Sequence, residues 1–177
     1  MSSYPLRYFG DPVLKQRSRE VEELTGGLQT LVHGMYETMD LEEGLGLAAP
    51  QVGVRKRIFT YDLHEGDGPA VLINPEVVLA EGEIISEEGC LSIPDMRFEV
   101  VRHERITVRG IDLEGKEVVL EGDDLLARML QHEIDHLDGV LLVDRLDPDA
   151  RRGALRELRL HDLPAASGLG SGGGFGR

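Results

Sequence analysis

Apolar residues recur at helical spacing in two long segments of the chain. The first runs from about Gly27 to Met39 and carries on one side Leu28, Leu31, Val32, Met35 and Met39. The second begins after Asp123, ends at Gly139, and carries Leu125, Leu126, Met129, Leu130, Ile134 and Leu137. This spacing is typical of helices that bury one face, and Asp and Gly are common at helix ends. We therefore predict two long helices, with shorter ones opening at Asp11-Pro12 and spanning Asp149–Leu160.

Short segments rich in Ile and Val separate the two long helices. They are Arg57–Tyr61, Ala70–Ile73, Ile84–Ser86, Phe98–Val101, Ile106–Ile111 and Glu117–Leu120. Turns such as Asp67-Gly68 and Glu114-Gly115-Lys116 break them, as expected between strands. Strands and helices do not alternate regularly. The order therefore predicts an α+β fold, with antiparallel or mixed sheets packed around the second long helix and further helices at the N- and C-terminal ends.

The composition is that of one globular domain with an acidic surface. Its 177 residues, 41% of them hydrophobic, suffice for a single core, which we place at residues 1–164. Residues 165–177 contain six glycines and are expected to form a flexible tail. The net charge of −14 argues against specific nucleic-acid binding, because phosphates need a basic face. No apolar run reaches the roughly 18 residues of a membrane span and no secretory signal is visible, so we expect a cytoplasmic protein without a membrane partner.

The segment His132-Glu133-Ile134-Asp135-His136 lies in the second long helix. Residues four apart lie on one helix face, so the two imidazoles can bind one metal ion while the glutamate acts as a general base beside it. The motif therefore predicts a metal-dependent hydrolase. Five residues alone leave open a metallopeptidase, and also a helix that merely carries two histidines.

Cys90 is the only cysteine and lies in the segment Glu87-Glu88-Gly89-Cys90-Leu91-Ser92-Ile93-Pro94. A lone cysteine is usually a small core residue. A catalytic metal site, however, commonly has three protein ligands and one open position. A Cys90 thiolate would complete such a set with the two histidines.

A third motif, Gly44-Leu45-Gly46-Leu47-Ala48-Ala49-Pro50-Gln51, superficially fits a dinucleotide-binding pattern. That interpretation is weak, because a helix precedes the motif where a strand should and Pro50 interrupts the helix that should follow. We instead predict a loop whose glycines let the backbone approach a substrate closely. Gln51 then offers an uncharged amide donor for an oxyanion, although a tight turn with a surface glutamine remains an alternative.

Together the three motifs resemble those of the peptide deformylase family. Its signatures read approximately G-x-G-x-A-A-x-Q, E-G-C-x-S and Q-H-E-x-x-H-x-x-G, and they stand here, in order, as Gly44–Gln51, Glu88–Ser92 and Gln131–Gly139. The resemblance spans roughly Tyr4 to Leu160. It implies an enzyme that removes the formyl group from the N-terminal formyl-methionine of newly made polypeptides and releases formate.

The resemblance also implies residue roles. Cys90, His132 and His136 would bind one divalent metal, for which the family resemblance favours Fe2+ and also allows Ni2+, Co2+ or Zn2+. A water in the fourth position would attack the formyl carbon, with Glu133 as general base and then acid. The Gln51 amide and the backbone N–H of Leu91 would hold the oxyanion.

The resemblance further implies an apolar pocket for the methionine side chain. Leu125 and Met129 would form its walls, and Arg128 replaces an aliphatic residue found in some members. Gly44, Leu45, Gly46 and Leu47 would lie along the substrate backbone. Arg97 and Arg102 match basic positions of the family. Three roles stay open for them: contact with the peptide, support of the site, or only a surface ion pair. We attach no mechanism to His103, which departs from the family pattern.

Two alternative functions are a metallopeptidase and a non-enzymatic binding protein. The H-E-x-x-H motif alone would fit a metallopeptidase, although Cys90 and Gln51 weaken that interpretation. A non-enzymatic protein that binds metal or formylated peptides would need a damaged motif, and none is visible.

The predicted C-terminal helix carries a basic run, Arg151, Arg152, Arg156 and Arg159. This run would suit contact with the ribosome, from which formyl-methionyl nascent peptides emerge, or simply a solvated helix face.

Overall fold

The computed structural model describes residues 3–64 and 68–160. It contains helices α1 (Gly26–Leu41), α2 (Asp124–Leu137) and α3 (Pro148–Leu160). The strands are β1 (Gly46–Ala48), β2 (Ile58–Tyr61), β3 (Ala70–Glu81), β4 (Ile84–Cys90), β5 (Ile93–Arg102), β6 (Arg105–Ile111) and β7 (Glu117–Asp123). Short 3-10 helices span Pro12–Lys15, Ala49–Val52 and Leu142–Arg145. The predicted glycine-rich tail, 165–177, and Asp67 of one predicted turn lie outside the described residues.

Two antiparallel sheets surround helix α2. One has five strands in the order β1-β2-β3-β6-β7, and the other is the β4–β5 hairpin. The apolar face of α2 packs on the larger sheet, where Leu130 and Leu137 join Phe59, Leu72 and Val108 in one fully buried cluster. The predicted α+β class, with antiparallel sheets around this helix, is confirmed. Within the described ranges, no helix is both long and apolar enough to cross a membrane.

The helices lie close to their predicted positions. Asp11 caps the first 3-10 helix by accepting a hydrogen bond from the Val13 N–H at 3.0 Å. Helix α1 is capped by Thr25 and buries the predicted apolar stripe. Helix α2 begins after Asp123, whose side chain makes no capping hydrogen bond. Gly139 follows its end with a φ of 73°, a left-handed conformation that suits glycine.

Several strands are longer than predicted. Strand β4 continues beyond Ser86 to Cys90, and β3 continues beyond Ile73 to Glu81. The added residues include charged ones and Pro75, which have low strand propensity on their own. Pairing of β4 with β5 and of β3 with β6 holds them in the sheets. The prediction of shorter strands was wrong because cross-strand pairing outweighs local preference.

Candidate metal centre and active site

Three potential metal ligands meet where the end of β4 faces helix α2. Cys90 is the last residue of β4, next to a register irregularity in its pairing with β5. Its Sγ lies 3.3 Å from the Nε2 of His136, which lies 3.2 Å from the Nε2 of His132. All three ligand atoms lie within 4.8 Å of one another. The fold therefore brings the predicted cysteine and both predicted histidines together.

The spacing of these atoms fits a tetrahedral metal ion. Metal–ligand bonds of 2.0 to 2.3 Å imply ligand atoms roughly 3.3 to 3.7 Å apart. The sulfur–nitrogen and nitrogen–nitrogen separations of 3.3 and 3.2 Å are close to that range. Imidazole suits iron, nickel and zinc alike, so the ligand types do not select one ion.

The electrostatics of the cluster favour the thiolate form of Cys90. Burial raises the pKa of the thiol, but the imidazoles of His136 and His132 lower it by a larger amount. The net pKa is therefore well below its usual value. Burial lowers the pKa of His132, whereas its contacts with Cys90 and Glu88 raise it well above its usual value. The thiolate is also the form in which a cysteine binds metal.

Glu133 lies beside the cluster, and one of its carboxylate oxygens makes no hydrogen bond within the described residues. The residue is 4% exposed, and its Oε2 has no hydrogen-bond partner within the described part of the chain. Burial raises the pKa of its carboxyl, and the neighbouring His132 and His136 only partly oppose this. A carboxyl with a raised pKa is suited to accepting and returning a proton.

The segment that leads from α1 into the start of β1 packs directly against Glu133. A Cβ built on Gly46 would lie 2.5 Å from the Oε1 of Glu133, and one built on Gly44 would lie 2.7 Å from Cδ1 of Leu91. Only glycine allows such close approach of backbone to side chain. The predicted role of this loop, close backbone approach at the site, therefore has a structural basis in these two glycines.

Gln51 is a buried donor beside the cysteine and not a surface residue. It is 1% exposed and lies in the 3-10 helix Ala49–Val52. Its Oε1 accepts a hydrogen bond from the Ala48 N–H at 2.9 Å, which fixes the orientation of the amide. Its Nε2 therefore points to the other side, 3.2 Å from Ser92 Oγ and 3.8 Å from Cys90 Sγ.

A cavity of about 660 Å³ opens in front of these residues. The size is that of a pocket for a small ligand or peptide end. Its lining includes residues from the segment Gly44–Gln51, called the glycine loop below, from the β4–β5 hairpin and from α2. They are Gly44, Leu45, Gly46, Gln51, Cys90, Leu91, Arg97, Leu125, Arg128, Met129, His132 and Glu133.

Comparison with known proteins assigns the chain to a family. A model of the polypeptide deformylase family matches residues 3–152. The chain belongs to the polypeptide deformylase family. A peptide deformylase from Thermodesulfovibrio yellowstonii is 48% identical over 151 residues, 84% of this chain and 92% of that one. The family resemblance expected from the three motifs is thereby confirmed.

Solved deformylase structures share the fold. A peptide deformylase from Legionella pneumophila is 42% identical, with a TM-score of 0.85 over 90% of this chain and 95% of that chain. One from Ehrlichia chaffeensis in complex with actinonin is 37% identical, with a TM-score of 0.84 over 90% of this chain and 98% of that chain. Family and fold therefore agree over nearly all of the described residues.

Two predicted site residues do not line the cavity. His136 is 1% exposed, and of the three potential ligands it alone is absent from the cavity lining. The Leu47 side chain is fully buried in the core that includes Met35 and Ile58, because alternation along β1 directs it away from the loop surface. Only the backbone of Leu47 could therefore border a substrate.

A buried ionic network behind His132 was missing from the sequence analysis. The Nδ1–H of His132 donates to Glu88 Oε2 at 3.1 Å, which fixes Nε2 as the ligand atom. Arg102 donates to both oxygens of Glu88 at 2.9 Å and to Asp135 at 2.6 Å. Burial raises the pKa of Glu88, but His132 and Arg102 outweigh it and bring the pKa to about 2. Arg145, half-exposed, also pairs with Asp135.

One sequence signal could have indicated part of this network. Glu88 and Cys90 are two residues apart on β4, so their side chains point to the same face of the strand. A carboxylate beside a metal-ligating cysteine is a natural partner for a ligand imidazole. Arg102 is buried between Glu88 and Asp135, which corrects the alternative that it forms only a surface ion pair.

Proposed function

We propose that this chain removes the N-formyl group from the formyl-methionine of newly made polypeptides and releases formate. The observation that carries the proposal is the meeting of Cys90, His132 and His136 with Glu133 beside an open cavity. The enzyme class is that of the family, peptide deformylase.

Cys90, His132 and His136 would hold one divalent metal. Such a metal would lower the pKa of a bound water and polarise the formyl carbonyl. We propose Fe2+ as the native ion. The proposal rests on the family resemblance, because the ligand set alone would also accept Ni2+, Co2+ or Zn2+.

Glu133 would move the proton that the reaction requires. The water oxygen bonds to the formyl carbon while one of its protons passes to Glu133. The C–N bond then breaks as Glu133 gives that proton to the departing amine nitrogen, which leaves formate and a free N-terminus. The raised pKa of the buried carboxyl supports both steps.

Gln51 and Leu91 would stabilise the oxyanion that forms on the formyl oxygen. The Nε2 of Gln51 already faces Cys90, and the backbone N–H of Leu91 directly follows that residue in the chain. Preorganised donors of this kind each contribute about 3 to 4 kcal/mol to the transition state.

The peptide would lie along the glycine loop. Gly44, Leu45 and Gly46 line the cavity and would run beside the substrate backbone, while Leu125 and Met129 would receive the methionine side chain. Arg97, exposed at the same cavity, would contact residues further along the peptide.

The C-terminal helix offers a contact for the ribosome. Helix α3 buries Ala154 and Leu158 and exposes its arginines. Arg151 and Arg152 pair with Asp144 and Asp149, which leaves Arg156 and Arg159 without partners among the described residues. We propose that this face contacts the ribosome in the cytoplasm. Unchanged co-sedimentation with ribosomes after neutralising all four arginines would refute it.

The test of the main proposal is formate release from a formyl-Met tripeptide by protein loaded anaerobically with ferrous iron or nickel. Glu133→Ala and Cys90→Ala should abolish it. Glu121→Ala, an exposed glutamate on β7, is the matched control and should retain it. Absence of formate release by the loaded wild-type protein would sink the proposal, whereas cleavage of internal bonds in unformylated peptides would favour a metallopeptidase. Elemental analysis of anaerobically purified protein would identify the ion.

A further inference from the structure

Two rows of side chains on helix α2 line the cavity side by side. Residues four apart stack on one helix face, so Leu125, Met129 and Glu133 form one row. Arg128 and His132 lie in the adjacent row, which continues to the buried His136. Arg128 therefore occupies the position one turn before a metal ligand, beside the apolar wall proposed for the methionine side chain.

The guanidinium of Arg128 is held at the far end of this wall with unused donors. Its side chain is only 20% exposed. Its Nε donates to the Asp124 carbonyl at 3.3 Å, and Nη2 contacts Asp124 Oδ1 at 3.4 Å. Both contacts are long, and across residues 3–64 and 68–160 no other partner is present. A guanidinium has five N–H donors, so most of them remain free to bind a ligand in the cavity.

The distance along the helix matches the length of a methionine side chain. With a rise of about 1.5 Å per residue, the stretch from His132 back to Arg128 and Asp124 covers about 6 to 12 Å. An extended chain from a formyl carbon to the methyl group of methionine spans roughly 7 to 8 Å. A first side chain that runs from the metal centre along α2 therefore ends beside the guanidinium.

We propose that Arg128 is a specificity-determining residue that forms a polar end to the first-residue pocket. On that basis the chain deformylates formyl peptides whose first side chain carries a hydrogen-bond acceptor near its end, methionine sulfoxide above all. The proposal rests on the deformylase function proposed above. The sulfoxide oxygen is a strong acceptor, and a charged donor in a half-buried site binds it better than water-exposed groups do. A wholly apolar pocket would instead have to strip water from that oxygen without replacement.

The charges around the cavity argue against another role for Arg128, recognition of an acidic second residue in the substrate. The rim carries four acidic residues, Glu42, Glu43, Glu87 and Asp95. These carboxylates outnumber the two arginines that line the cavity, Arg97 and Arg128, so an acidic substrate residue would be repelled. A neutral acceptor at the end of the first side chain meets no such repulsion.

The experiment compares three substrates: the formyl tripeptides Met-Ala-Ser, its methionine-sulfoxide form, and norleucyl-Ala-Ser, which lacks the sulfur. kcat/KM is measured for wild type, Arg128→Met, which keeps the apolar stem, and Arg128→Lys, which keeps a charged donor. Arg105→Met, an exposed arginine on β6, is the control. The ratio of sulfoxide to norleucine activity should fall about tenfold or more in Arg128→Met, since a hydrogen bond to a charged group is lost. It should change by less than about threefold in Arg128→Lys and Arg105→Met.

A binding readout separates specificity from turnover. Dissociation constants of the same peptides for Glu133→Gln, with and without Arg128→Met, should show the same change in ratio. An unchanged ratio in Arg128→Met, with active wild type, would overturn this inference alone. Two further peptides, formyl-Met-Glu-Ser and formyl-Met-Lys-Ser, test recognition of the second residue. If Arg128→Met changes the ratio of activity on these two peptides instead of the sulfoxide ratio, the inference is also overturned. Failure of wild type to release formate from any of the three peptides would overturn the proposed function and this inference with it.

Discussion

Replacement of Arg102 by methionine should destabilise the fold through charges that its removal leaves buried. Arg102 is 5% exposed and donates to both oxygens of Glu88 at 2.9 Å and to Asp135 at 2.6 Å. Methionine fills a similar space without the charge. In Arg102→Met, Glu88 keeps only its contact with His132, while Asp135 keeps Arg145.

The size of the effect follows from these remaining partners. Removing one member of a buried ion pair costs about 3 to 5 kcal/mol. Because each carboxylate retains one partner, we expect the lower end, about 3 kcal/mol. For a chain of 177 residues this corresponds to a fall in Tm of about 6 to 12 °C.

The assay is thermal unfolding of the metal-free protein, followed by circular dichroism. Arg105→Met is the matched control, because that arginine is 66% exposed and lies 3.6 Å from Glu81. An exposed pair of this kind contributes at most about 1 kcal/mol. The double variant Arg102→Met with Glu88→Gln should lose less than the two single variants added together, since the uncompensated charge is gone. A fall in Tm for Arg102→Met no larger than that of the control would refute the reasoning.

Three further changes test other parts of the structure. Gly46→Ala would place a Cβ 2.5 Å from Glu133 Oε1, and the displaced carboxylate should lower the rate of formate release by about a hundredfold; an unchanged rate would contradict the proposed role of Glu133. Gln51→Leu removes one oxyanion donor and should lower kcat about 100- to 1000-fold with little effect on metal content. Burial raises the pKa of Asp144, but contacts with Lys15 and the Leu141 N–H lower it by more, so that the net pKa is below its usual value. The ionised carboxylate therefore stabilises the fold above its unfolded-state pKa and ceases to do so in acid. Lys15→Met should thus lose more stability to urea at neutral pH than in acid, and an equal loss at both would contradict this.

The helices were predictable from sequence because their signals are local. The stripe in α1 and the stripe in α2 each repeat at helical spacing, and Gly139 marks the end of α2. The strands were less predictable. Residues of β4 after Ser86 have little strand propensity, and they are extended only because β5 lies beside them. That pairing joins residues whose register no local pattern specifies.

The metal centre likewise contains ligands whose position follows from local spacing and one whose position depends on tertiary packing. The spacing of His132 and His136 is a property of one helix, so the sequence alone predicts that they converge. Cys90 was proposed as the third ligand from the usual number of protein ligands and from the family resemblance. Its approach depends on how the β4–β5 hairpin meets α2, with Sγ 3.3 Å from His136 Nε2.

The buried ionic network was the hardest part of the site to predict from the sequence. Its members Glu88, Arg102 and Asp135 come from two strands and a helix. Their charges become partners only after both strands and α2 have packed. A carboxylate at Glu88 without Arg102 would face His132 as an uncompensated buried charge, and Arg102 without Glu88 would be equally costly. The orientation of His132 therefore depends on residues outside the H-E-x-x-H motif. Substitutions in the hairpin should thus alter metal affinity without touching a ligand, by the tenfold to hundredfold typical of such supporting partners.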